Sequence, residues 1–216
     1  VATRDRGTLF AAGCTPVPVS WLPPSGIEGA SVPTCCYNGA MRIAILVDNI
    51  YQEMEVWYPL YRFREAGAEV VIIGARAGET YTSKLGYPVV SEKSYEQVSA
   101  SDFDGVVVPG GFAPDFIRRY SKAKQFVRDL DAQGKLVAAI CHGLWVLCSA
   151  GILRGRRATC FFAIQDDVIN AGGLYEDAEV VVDRNLVTSR KPDDLPAFCR
   201  EALRVAVSGA ATSTTP

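Results

Sequence analysis

The feature of this chain that most constrains its fold is the alternation of short apolar runs with amphipathic segments. Four runs are made almost entirely of apolar and β-branched residues, at 42–47, 69–74, 105–108 and 135–140. Patterns typical of helices stand between or after them, at 51–66, 113–132 and 193–207, and residues 81–92 suit a small hairpin. Apolar runs separated by helices are typical of a parallel sheet covered on both faces. The sequence therefore predicts an α/β fold with a mostly parallel central sheet.

The chain divides near residue 40. Residues 1–40 hold five of the twelve prolines, lack lysine and show neither a helical nor a strand period. We therefore expect residues 1–40 to be a flexible extension, with upstream sequence or an organellar transit segment as open alternatives. Met41 stands directly before the first apolar run, as a native start would. Residues 41–207 are predicted to form one domain, and residues 208–216 a polar tail.

Charge and composition exclude several classes of function. A net charge of −2 gives no electrostatic case for binding nucleic acid or an anionic membrane. No apolar run approaches the roughly 20 residues needed to cross a bilayer. Seven cysteines without a CxxC pair, and one histidine, argue against a zinc site and suit reduced thiols in a cytoplasmic protein. The turns lack GxGxxG and Walker patterns, so a nucleotide-binding module is the least favoured reading, and no cofactor is expected.

Chemically active residues follow the predicted strands. Cys141 and His142, the only histidine, come directly after the run at 136–140, and Gly110, Gly111 and Asp115 follow the run at 105–108. Because functional groups in such sheets lie beyond the carboxyl ends of the strands, these groups are expected at one edge. That edge is the predicted site.

Cys141 is the candidate nucleophile of this site. At the start of a helix, a thiolate is stabilised by free backbone N–H groups, so its pKa should fall below about 8.5. A neighbouring imidazolium of His142 would lower that pKa further, and His142 could carry a proton. The N–H groups of Gly111 and His142 could hold a developing oxyanion. The alternative is that Cys141 is a small buried apolar residue, which the adjacent lone histidine disfavours.

Several stretches together resemble the DJ-1/PfpI superfamily, in its PfpI branch, from about Met41 to Val207: "YPLYRFREAGAEV", "PGGFAPD", "AICHG", "DDVINAGG" and "SRKPDDLPAFCREAL". The resemblance implies a flavodoxin-like three-layer α/β/α sandwich and a nucleophilic Cys141 on a sharp elbow beside His142. It also implies a homo-oligomer, a dimer or a hexamer, in which Asp115 reaches His142 of another subunit. Activities attributed to the family include peptidase, glyoxalase-III-type and deglycase reactions.

Two positions depart from the family pattern. The family places a glutamate, which exchanges protons beside the cysteine, just after the first strand, and counting back from Tyr58-Pro59 assigns this position to Gln52. An amide cannot deliver or accept that proton, which weighs against a glyoxalase-type reaction. Phe161 stands where related sequences often carry a tyrosine. Together with Trp145, it predicts a more apolar pocket.

The resulting hypothesis is a cytoplasmic, cysteine-dependent enzyme that acts on a small carbonyl or amide compound. Its catalytic residues would be Cys141, His142, Asp115 and Gln52, with Gly110, Gly111, Phe161 and Trp145 at the substrate. The alternative from another class is a redox-sensing or chaperone-like stress protein whose Cys141 is oxidised rather than acylated.

Overall fold

A computed structural model describes residues 41–212, and the predicted extension at 1–40 lies outside the described residues. The strands of the described range are β1 (Arg42–Leu46), β2 (Glu69–Gly74), β3 (Thr80–Thr82), β4 (Pro88–Val90), β5 (Lys93–Ser94), β6 (Gly105–Val108), β7 (Leu136–Ile140), β8 (Arg157–Ala158), β9 (Leu174–Tyr175), β10 (Val180–Asp183) and β11 (Leu186–Ser189). The α-helices are α1 (Glu53–Glu65), α2 (Ala113–Ile117), α3 (Ser121–Ala132), α4 (Leu144–Ala150), α5 (Gln165–Asn170) and α6 (Leu195–Thr212).

Seven of these strands form the central sheet, in the order β10-β11-β7-β6-β1-β2-β5. Neighbouring strands are parallel except for the antiparallel pair β10 and β11. The prediction of an α/β fold with a mostly parallel sheet is confirmed. β3 and β4 pair antiparallel, as predicted for the hairpin at 81–92.

Helices cover both faces of the sheet. The central strands β6 and β7 are buried along their whole length, which requires cover on both sides. α1 packs against α6, whereas α3 packs against α4 and α4 against α5. The two groups therefore lie on opposite faces and complete three layers. None of the helices in the described part is both long and apolar enough to span a bilayer.

Two predicted boundaries differ in the structure. The helix expected at 113–132 is two helices, because Tyr120 is extended (φ −83°, ψ 119°) and its ring packs 5.3 Å from the ring of Tyr95. α6 continues to Thr212, so the tail predicted from 208 begins inside a helix. Residues 213–216 lie outside the described range.

The strand order brings three loops together at one edge. β7, β6 and β1 are neighbours, so the segments after their carboxyl ends adjoin one another. The loop after β1 is bonded to the loop after β6, because the N–H of Gln52 donates to the carbonyl of Gly110 at 3.3 Å and that of Phe112 to Ile50 at 2.8 Å. The edge predicted to hold the site is thus a hydrogen-bonded unit.

Candidate active site

Cys141 occupies a strained elbow between β7 and α4. Its φ of 60° is unusual for a residue other than glycine and costs about 1–3 kcal/mol, which the surrounding structure must hold. The strand ends at Ile140, and a single short 3₁₀ turn, Cys141–Gly143, leads into α4. A Cβ at Gly143 would collide with the carbonyl oxygen of Val108 on β6. The elbow therefore sits directly against the neighbouring strand.

Glu55, rather than Gln52, lies beside the thiol. Glu55 is fully buried on the first turn of α1, and its Oε2 accepts a hydrogen bond from the N–H of Gly110 at 2.6 Å. Its Oε1 is buried and has no hydrogen-bond partner among the described residues. The Cys141 thiol and the Glu55 carboxyl each shift the pKa of the other.

The assignment of the family's glutamate position to Gln52 is therefore wrong. Gln52 is the N-cap of α1, and its Oε1 accepts from the N–H of Glu55 at 2.9 Å, so this amide oxygen serves the helix end. Counting along the sequence set Glu55 aside because it lies three residues beyond the position assigned to Gln52. The available signal was its spacing, since Glu55 shares one helical face with Pro59 and Phe63, which are both buried.

Burial sets the protonation states of the Glu55 carboxyl and the Cys141 thiol. It raises the pKa of Glu55 to about 8, against the opposing effect of the Gly110 hydrogen bond. Burial, followed by the charge of Glu55, raises the pKa of the Cys141 thiol to about 12, although the N–H groups of His142 and Gly111 act in the opposite direction. The prediction of a lowered thiol pKa is wrong, because burial and a neighbouring carboxyl outweigh the helix start. At neutral pH both groups mainly keep their protons.

His142 contacts the thiol directly. Its Nδ1 lies 3.2 Å from the Cys141 Sγ, and its ring packs 4.9 Å from the rings of Trp145 and Phe161. Burial and then the charge of Lys84 lower the pKa of His142. The imidazole is thus mainly neutral at pH 7, and the expectation of an adjacent imidazolium is not met.

The remaining predicted residues take distinct places. A cavity of about 350 Å³ contains the thiol, and its walls include Gln52, Gly111 and Phe161. Trp145, predicted to lie at the substrate, does not line this cavity, and its indole N–H donates to Asp167 Oδ2 at 2.9 Å. Gly110 lies under the site, because a Cβ there would come within 2.7 Å of Glu55 Oε2 and 2.8 Å of the Cys141 Cβ. The sequence reasoning did not find three further wall residues: Ile50, Lys84 and Pro192.

Asp115 lies on α2 at the edge of the site and is partly buried. Its carboxylate forms ion pairs with Arg118, at 3.4 Å, and with Arg119. Both arginines precede Tyr120, where α2 and α3 are separated. Within one chain Asp115 is thus held by arginines rather than by His142. Its role toward another subunit stays a prediction. Among the described residues, no group of three or more His, Cys, Asp or Glu side chains is arranged to hold a metal ion.

Comparison with known proteins places this site in a family. The sequence model of the DJ-1/PfpI family matches residues 41–205. The chain belongs to the DJ-1/PfpI family. Protein/nucleic acid deglycase 2 of Escherichia coli is 46% identical over 166 residues, covering 76% of this chain and 96% of that protein. The putative cysteine protease YraA of Bacillus subtilis is 44% identical over 164 residues, covering 76% of this chain and 97% of that one.

A solved structure shows the same fold. It is a two-domain protein of Anabaena variabilis with DJ-1/ThiJ/PfpI-like and ferritin-like domains, 42% identical to this chain with a TM-score of 0.76. The match covers 79% of this chain and 49% of that one, so this chain spans about half of the two-domain protein. The flavodoxin-like three-layer architecture of the DJ-1/PfpI family is therefore the fold of residues 41–212.

Proposed function

We propose that this DJ-1/PfpI protein is a cysteine-dependent enzyme that converts small carbonyl compounds, in a deglycase- or glyoxalase-type reaction. Cys141 is the nucleophile and Glu55 the group that exchanges protons with the substrate. The observation that carries the proposal is the buried Glu55 carboxyl beside the thiol, with one oxygen free of other partners. The objection drawn from Gln52 no longer applies, because the carboxyl is present at Glu55. The name of the Escherichia coli relative, a deglycase, supports this class of reaction.

The reaction of a 2-oxoaldehyde can be written through these groups. The Cys141 sulfur adds to the aldehyde carbon, the carbonyl oxygen takes up a proton, and a hemithioacetal forms. The Glu55 carboxylate then removes the proton from that carbon and returns it to the adjacent carbon. The hydroxyl proton of the hemithioacetal passes to the oxygen of the adjacent carbonyl, so the product is a thioester with a neighbouring hydroxyl group. Water cleaves the sulfur–carbon bond, restores the thiol and releases a 2-hydroxy acid. The overall change is the addition of one water, without an external oxidant.

Backbone donors and aromatic walls of the cavity suit these reaction steps. The N–H groups of Gly111 and His142 face the sulfur, close to where a substrate oxygen would develop negative charge. Phe112 and Phe161 line the cavity and limit the access of water to the bound substrate. The neutral imidazole of His142, 3.2 Å from Sγ, can accept the thiol proton when the sulfur attacks.

Cys141→Ser is the direct test of the nucleophile. We expect the rate of lactate formation from methylglyoxal to fall by at least about 1,000-fold, because an alcohol is a far weaker nucleophile. Cys148→Ser, on α4 and about two helical turns after Cys141, is the matched control and should retain the rate. Equal rates in wild type and Cys141→Ser would overturn the proposal. Stoichiometric consumption of peroxide without turnover of any carbonyl compound would favour the redox-sensing alternative.

We also propose that the protein is a homo-oligomer whose sites lie at subunit interfaces, with Asp115 of one copy orienting His142 of another. The support is the place of Asp115 at the site edge, on a short helix separated from α3. Mixing inactive Cys141→Ala subunits with inactive Asp115→Ala subunits should restore part of the activity, since some interfaces then combine an intact cysteine with an intact aspartate. Full activity of Asp115→Ala alone, or no recovery in any mixture, would contradict this role.

A further inference from the structure

Lys84 lines the cavity, but the proposed reaction gives this residue no role. It lies in the turn between β3 and β4, and this exposed residue lines the same cavity as Cys141. The turn is firmly held, because the Lys84 N–H donates to the carbonyl of Tyr51 at 2.9 Å. On either side of it, the Ser83 hydroxyl and the Leu85 N–H donate to the Glu53 carboxylate at 2.5 and 2.6 Å. Lys84 therefore has a fixed place at the cavity.

The Lys84 ammonium has no carboxylate partner among the described residues. Lys122 and Lys191 form ion pairs with Glu96 and Asp193, whereas no described carboxylate lies within ion-pair distance of Lys84. Its charge nevertheless acts within the site, since it lowers the pKa of both His142 and Glu55. The positive charge therefore acts on groups of the cavity, and it also acts on the Glu53 carboxylate, which does not line the cavity.

The other residues that line the cavity carry little or no charge at neutral pH. At neutral pH Glu55 is mainly protonated and His142 mainly neutral. The remaining walls carry no charge: Ile50, Gln52, Gly111, Phe112, Cys141, Phe161 and Pro192. Among the wall residues, Lys84 is therefore the one that carries a full charge at neutral pH, on an exposed residue at the cavity margin.

We propose that Lys84 binds an anionic group of the substrate, so that the preferred substrates are small carbonyl compounds that also carry a carboxylate. This inference rests on the proposed function and narrows its substrate class to 2-oxoaldehydes with an acidic tail. Such a compound would place its aldehyde carbon at the Cys141 sulfur and its carboxylate at the ammonium. A neutral compound of the same shape would lack the second contact.

Alkylation tests the anion site without any turnover. Iodoacetate and iodoacetamide are nearly isosteric and both react with the Cys141 thiolate, so their rate ratio does not depend on the thiol pKa. In Lys84→Met the iodoacetate-to-iodoacetamide ratio at Cys141, measured by peptide mass mapping, should fall at least about threefold. Lys84→Arg should retain most of the wild-type ratio. Lys93→Met, a lysine on β5 away from the cavity, is the matched control and should leave the ratio unchanged.

Turnover then tests the substrate class. The wild type should have a higher kcat/KM for 4,5-dioxopentanoate than for its neutral methyl ester, and the difference should lie mainly in KM and shrink at high salt. Lys84→Met should lose this preference. An unchanged alkylation ratio in Lys84→Met would overturn the anion site whatever the turnover results. A lowered ratio with no turnover of either compound by wild type would support the anion site and refute the proposed function.

Discussion

Glu55→Gln is expected to lower kcat/KM for methylglyoxal by at least about 100-fold, because an amide cannot carry the proton between the two substrate carbons. The substitution is nearly isosteric, and the amide oxygen can keep the hydrogen bond from the Gly110 N–H. The wild-type rate should rise with pH and level off above about 8, where the carboxyl ionises. The variant should lack this inflection. Initial rates of lactate formation between pH 6 and 9 measure both effects.

The control for this experiment is Glu65→Gln, the same chemical change at the exposed last residue of α1. It should keep the wild-type rate and pH profile. Gln52→Ala is informative as well, because Gln52 caps the helix that carries Glu55. It should lower stability by about 1 kcal/mol while the inflection near pH 8 remains. A Glu55→Gln enzyme with the wild-type rate and inflection would remove Glu55 from the mechanism.

The second large effect concerns stability. In the unfolded chain the Glu55 carboxyl loses its proton near its ordinary pKa of 4.5, whereas the native protein holds that proton until about pH 8. Between these values the native state binds one more proton, so the free energy of unfolding should fall by roughly 1.4 kcal/mol per pH unit as pH rises. Above pH 8 this contribution is constant. Glu55→Gln should lack it and gain stability relative to wild type as pH increases.

Urea unfolding of both proteins at pH 5, 6, 7 and 8 measures this difference. Burial also raises the pKa of Asp48, which adds a slope of the same sign to both proteins. The difference between the two curves therefore isolates Glu55. Parallel curves across this range would mean that the native carboxyl ionises at or below its ordinary pKa of 4.5, which would contradict this prediction.

The layout of the fold could be predicted from particular runs of sequence. The apolar strands at 105–108 and 136–140 fixed the parallel sheet, and the rule for strand ends correctly placed Cys141 and His142 beside Gly110 and Gly111. The elbow followed from the cysteine's place between a strand and a helix. These successes depend on local patterns, which a single sequence displays directly.

The electrostatics of the site could not be predicted in the same way. A helix start lowers a thiol pKa, but only the folded chain shows that Cys141 is buried against Glu55. The capping residue Gln52 and the buried acid Glu55 are about one helical turn apart. Counting along the sequence does not show which of the two faces the thiol. The ion pairs of Asp115 and the place of Lys84 depend likewise on contacts between distant segments.

The close approach of Gly143 to Val108 has a consequence for how this site can change during evolution. The position of Cys141 is set by the register of two central strands, in which Val108 pairs with Ala139. Mutations in surface loops therefore leave the Cys141 sulfur in place. Other walls of the cavity come instead from the hairpin turn at Lys84 and from the segments at Phe161 and Pro192. Under the proposed function, substrate choice can thus diverge among descendants of this protein while the cysteine keeps its position.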